Sequence, residues 1–147
     1  MDIYSLEDSA FKLKGKNATT VVGVGKVMVE SGEAKIEFTE PGEYESKGVT
    51  ITGALSKDGI IFIINHDHLN LVYLGLQGES LSEEQMQYIS DPDILFVSSK
   101  SVSAVSQLEP KVIVVMDGQE KIEPMAKLSI TTEKLPEEPM VVVLKHG

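Results

Sequence analysis

Several short stretches of this 147-residue chain carry side chains able to do chemistry. His66-Asp67-His68 comes first, because imidazole and carboxylate are the ligands zinc takes when no thiolate is at hand. Its setting argues for a turn instead. A helical zinc motif needs histidines one turn apart, whereas this triplet lies between two apolar runs, 60–64 and 69–74, where Asn65 to His68 supply the polar residues of a hairpin. His66 and His68 are therefore read as turn residues, with weak adventitious metal binding at most. Gly23-Val24-Gly25-Lys26 has the look of a phosphate loop, but Thr20 and Val27 stand where the earlier glycine and the hydroxyl should be. Met28 likewise occupies the place of the third glycine of a dinucleotide fingerprint. Ser98-Ser99-Lys100 offers a serine beside a lysine, a pair that is reactive only if burial lowers the lysine pKa. The simpler reading is a hydroxyl-rich strand end that caps the next helix. Glu137-Glu138, set between prolines, reads as a solvated loop.

The elements that must position these residues are mostly strands. Phe11 and Leu13 alternate with Lys12 and Lys14, and 15–17 separate them from a β-branched run over 19–22, which predicts a hairpin. Short strands are expected over 27–29, 34–38, 49–52, 59–64 and 69–74. Glu40-Pro41-Gly42-Glu43 predicts a sharp reversal. After Gly78 helix and strand alternate. Ser82-Glu83-Glu84-Gln85 has capping-box spacing and predicts a helix of about two turns that Pro92 ends. The next strand is expected over 94–97. A second helix is expected through Val102, Val105 and Leu108, then a buried strand over 112–115. A poorer helix over 120–127 leads to strands over 128–132 and 141–144. The runs 112–115 and 141–144 are apolar on both faces and are expected in the middle of a sheet. The fold class implied is α+β: a single domain over 1–147, β-rich, with two packed sheets and a few short helices outside.

Composition narrows the chemistry further. Thirteen Lys and Arg against twenty-three Asp and Glu give a formal charge of −10, and only 5% of residues are aromatic, so nucleic acid is not an expected partner. No cysteine is present, which removes disulfides, thiolate metal sites and cysteine nucleophiles together. The first residues are acidic rather than signal-like, and the longest apolar run is far short of a bilayer span, so a cytoplasmic protein with no membrane partner is expected.

Several phrases, taken in order, resemble the metallo-β-lactamase fold, and in particular the small bacterial metal-dependent hydrolases of that superfamily. They are Phe11 to Thr19, Glu40-Pro41-Gly42-Glu43-Tyr44-Glu45 with Lys47-Gly48-Val49, Tyr73-Leu74-Gly75 through Gln85, Asp93 to Val97, Leu108 to Ile113, Leu128 to Leu135 and the final valine-rich strand. The resemblance implies a truncated αββα sandwich. It also implies a hydrolytic site in which an HxHxDH motif and later loops hold one or two metals that activate water.

This chain departs from that pattern at each site position. It contains no HxHxDH, and the passage from Gly25 to Glu33 is short where the motif's loop should lie. The family's other ligand positions correspond to Asp8, Gly23, Leu76 and Asp117. Segments 25–33, 54–58, 98–101 and 117–122 look shortened. The expectation is a catalytically inactive member of the family with no cofactor, acting as a protein-interaction or self-assembling module. The alternative is a metal-dependent hydrolase whose site is rebuilt from Asp8, Asp117 or the histidine pair. A filled cleft is also expected, with Leu76 among apolar neighbours.

Overall fold

The structure, a computed structural model, describes residues 1–56, 59–75, 81–89, 91–102, 108–118 and 121–146. Alternating burial builds its first half. In β1 (Asp2–Ser5), β2 (Phe11–Lys14), β3 (Thr19–Gly23) and β4 (Lys26–Ser31), every second residue turns inward, so Ile3, Phe11, Leu13, Val22, Val27 and Val29 are buried. With β5 (Ala34–Phe38) and the two-residue β12 (Leu128–Ser129) they make a six-stranded antiparallel sheet in the order β12-β1-β2-β3-β4-β5.

The second sheet has seven strands. β6 (Gly42–Ser46), β7 (Val49–Ser56), β8 (Gly59–His66) and β9 (Leu69–Gly75) form an antiparallel meander. Beyond it β10 (Ile94–Val97), β11 (Val112–Val115) and β13 (Met140–Val142) run parallel to β9. The inner faces of both sheets share one core, from Ile3, Phe11 and Leu13 to Phe96, Val114 and Val142. On the outer face of the seven-stranded sheet a second cluster, including Val72, Leu95, Ile113 and Ile89, has Leu81, Val102, Leu108 and Ile122 packed against it.

The expected two-sheet, β-rich sandwich is therefore present. The capping box is present too: Ser82 accepts from the Gln85 amide and Gln85 reaches back to the Ser82 amide, starting α1 (Glu83–Tyr88). Other expectations are corrected. Glu40 to Gly42, where a sharp reversal between two strands is expected, carries the chain from β5 in one sheet to β6 in the other. Strands β1 and β6 appear where none was expected. β11 is interior, but β13 is an edge strand, with Val142 and Val143 buried because clusters cover both its faces. Residues 121–127 are irregular rather than helical, and Met125 pairs with Leu144 beside that edge. The helix expected through Val105 falls largely outside the described residues; what is seen is a 3₁₀ turn, Ser99–Ser101. No helix among the described residues is long and apolar enough to cross a membrane.

Candidate functional site

Parallel strands bring their carboxyl ends together, and in open sheets that end is where ligand-binding loops gather. Here the segments leaving β9, β10, β11 and β13 begin at 76, Ser98, Met116 and Val143. Loops from the other sheet join them. The Tyr73 hydroxyl donates to the Ser9 carbonyl at 2.6 Å, and a Cβ on Gly23 would lie 3.4 Å from that of Ala10. His146 Nδ1 donates to the Leu6 carbonyl at 2.9 Å. Asp8, Gly23 and Asp117 thus stand at one end of the sandwich. Leu76 comes directly after β9 there and lies outside the described residues, as does any view of its neighbours.

Beneath these loops the floor is aromatic. Phe11 and Phe96 pack with ring centroids 4.7 Å apart, and Tyr73 meets Phe11 edge-on at 6.4 Å. All three rings are buried. Burial pushes the Tyr73 hydroxyl up to about 12, so the group is a neutral donor that ties down a loop.

The polar groups at this end hold structure. Asp8 is exposed, at φ 58°, with Ser9 at φ 60°, in a tight turn closed by the Leu6 amide on the Ala10 carbonyl at 2.8 Å. Asp117 accepts from the Ser99 amide at 2.7 Å with one oxygen and from the Ser99 hydroxyl at 2.9 Å with the other. It therefore caps the 98–101 turn, the role that residue type alone gives to the serines; Ser98 makes no side-chain cap bond. Lys100 is exposed while Ser98 is buried, with the Ser101 hydroxyl 3.4 Å away. An exposed, solvated lysine is no base for a buried serine. His146 was not foreseen at this end, because its place depends on β13 running parallel to β11.

The other histidines lie at the opposite end, in the β8–β9 hairpin. Asp67 and His68 form its two-residue turn, at φ 52° and 64°. His66 is not part of that turn: it ends β8, is 3% exposed and crosses toward the other sheet, with Nδ1 3.2 Å from the Thr20 hydroxyl. Its Nε2 is buried and makes no hydrogen bond. A Cβ on Gly15 would come within 2.3 Å of that nitrogen, so glycine is required where the two strands' ends press together. Desolvation holds His66 below its ordinary value, opposed by the Asp67 carboxylate and the Ala18 carbonyl. The Asp67 carboxylate in turn accepts from the Lys16 amide at 3.0 Å. Pairing in sequence thus corresponds to one buried imidazole and one exposed one.

Among the described residues no group of three or more His, Asp or Glu side chains could hold a metal ion. Glycine at 23 and leucine at 76 offer no ligand whatever their surroundings. A zinc site with protein ligands does not fit the donors that the described residues bring to this end.

A family model described as a β-lactamase superfamily domain matches residues 7–117. Among solved structures, a candidate Zn-dependent hydrolase of the metallo-β-lactamase superfamily from Thermotoga maritima is similar, with a TM-score of 0.77 and 20% identity over 98% of each chain. At that identity the likeness carries the fold alone. No curated protein matches the chain.

Proposed function

This chain belongs to the β-lactamase superfamily, and from that premise we propose a non-catalytic role: a metallo-β-lactamase fold that acts by binding another protein or a second copy of itself. What supports this reading is the residue types at the positions that the resemblance assigns to ligands. One is glycine, one is leucine, and the carboxylate at a third, Asp117, spends both oxygens on Ser99. Water activation needs a metal with an open coordination position, or a base held near a bound substrate. Among the described residues no third His, Asp or Glu converges with any two of Asp8, Asp117 and His146 to complete such a site. The surface supplies the rest of the argument, since Val24 is 54% exposed beside Gly23 and Leu55 is 72% exposed on β7.

The test is tag-free purification with metal analysis, a general esterase and phosphodiesterase screen, and light scattering with pull-down. The reading expects no retained metal, no turnover and a protein partner or self-association. Stoichiometric metal lost on Asp8→Ala or Asp117→Ala would favour the rebuilt hydrolase instead.

A further inference from the structure

We propose that the partner is a second copy of this chain, joined edge to edge through β5 in an antiparallel, two-fold pairing centred on Ile36. This rests on the interaction reading above and goes further by naming the surface. β5 closes the six-stranded sheet on one side, and Ala34, Lys35, Ile36 and Glu37 are all exposed. Ile36 faces the same side as its buried partner Val29 yet is 45% exposed.

The hairpin sets the register. Ser31 and Ala34 flank a two-residue turn with Gly32 at φ 61°, so they form a hydrogen-bonded pair, and Val29–Ile36 and Val27–Phe38 do the same by alternation. The amide and carbonyl groups of Lys35 and Glu37 therefore point to the open edge. Pairing about Ile36 sets Lys35 of one copy against Glu37 of the other, twice, with those outward groups bonded to each other. Ile36 meets its own symmetry mate at the close, non-hydrogen-bonded position.

A second free edge shows why the choice is not arbitrary. β6 ends the seven-stranded sheet, and its Ser46–Val49 pair also flanks a two-residue turn, Lys47-Gly48, so Glu43 and Glu45 present the outward groups. The same self-pairing there, about Tyr44, would set Glu43 against Glu45 and repel. One edge is self-complementary in charge and the other is self-repelling. The edge at β13 is partly occupied by Met125, which bonds to Val143 and receives a bond from Lys145. A closed two-fold contact through β5 joins two six-stranded sheets into one and ends there.

The experiment combines sedimentation velocity over a range of concentrations with charge swaps and cross-linking. Wild type should show a reversible monomer–dimer equilibrium. K35E and E37K should each weaken association about tenfold, and the double swap K35E/E37K should restore it, because the double variant recreates opposite-charge pairs across the axis. Circular dichroism on each variant checks that the fold is kept. Because the chain has no cysteine, I36C places one thiol per copy on the axis, and it should form a disulfide-linked dimer under mild oxidation faster than L55C does. A dimer that ignores the charge swaps, or I36C no faster than L55C, overturns the β5 pairing while leaving the interaction reading in place. A monomer at every concentration that captures a different protein does the same. A monomer that retains stoichiometric zinc overturns both.

Discussion

The two ends of this sandwich put the same kinds of residue to opposite uses. At the carboxyl end of the parallel strands three polar side chains, one of them the buried Tyr73, are tied to backbone: Asp117 to Ser99, Tyr73 to Ser9, His146 to Leu6. At the far end His66 is fully enclosed, with a nitrogen lacking any hydrogen bond and a glycine pressed against it. Chemistry-bearing residue types thus serve as clips at one end and as a wedge at the other. A ligand is defined by its convergence with other donors, and that convergence is absent among the described residues.

The comparison can be broken most sharply at the wedge. Gly15→Ala would drive a methyl group into the His66 ring and should cost about 2–3 kcal/mol in urea unfolding, since neither strand end can retreat without disturbing the core. A Gly15→Ala loss under 0.5 kcal/mol, on the order of a surface change, would show the contact to be loose. At the other end Asp117→Ala removes two hydrogen bonds from an exposed position and should cost about 1–2 kcal/mol. Its metal content should match that of wild type.

Tyr73→Phe should cost about 1 kcal/mol, because the ring stays packed and only the bond to Ser9 is lost. In an alkaline absorbance titration of the wild type, one of the four tyrosines should ionise at about 12, and that step should vanish in the variant. The smallest effect is spread over pH. His66 titrates lower in the folded than in the unfolded chain, so the unfolded state takes up its proton first. Its contribution is complete above the ordinary histidine value of 6.5 and is lost as pH falls through the depressed folded value. Just below pH 6.5 stability should therefore rise with pH, by at most about 1.4 kcal/mol per unit. His66→Gln should flatten that slope.

What could be read from the sequence was local. The capping box at Ser82, the hairpin between Phe11 and Val22, and the turn at Asp67-His68 each depend on residues within a few positions of one another. What could not be read depends on partners far along the chain. The burial of His66 needs Thr20 and Gly15 from the other sheet, and the edge placement of β13 needs the parallel register with β11. β1 carries only four residues, with Ile3 as its one fully apolar inward side chain, too little pattern to mark a strand. β6 was hidden by Pro41-Gly42, whose turn chemistry fits a crossing between sheets as well as a hairpin. The residue types at the positions that the resemblance assigns to ligands were legible at once, since glycine and leucine carry no side-chain donor in any fold.

The central claim is that the described residues at the carboxyl end of the parallel strands do not converge on a metal ion. Its most direct test is the zinc, iron and manganese content of tag-free protein after dialysis, read per chain by plasma mass spectrometry. The account predicts well under about one-tenth of a metal ion per chain, unchanged in Asp8→Ala and Asp117→Ala. One or two ions per chain that survive dialysis and are lost in either variant would contradict it.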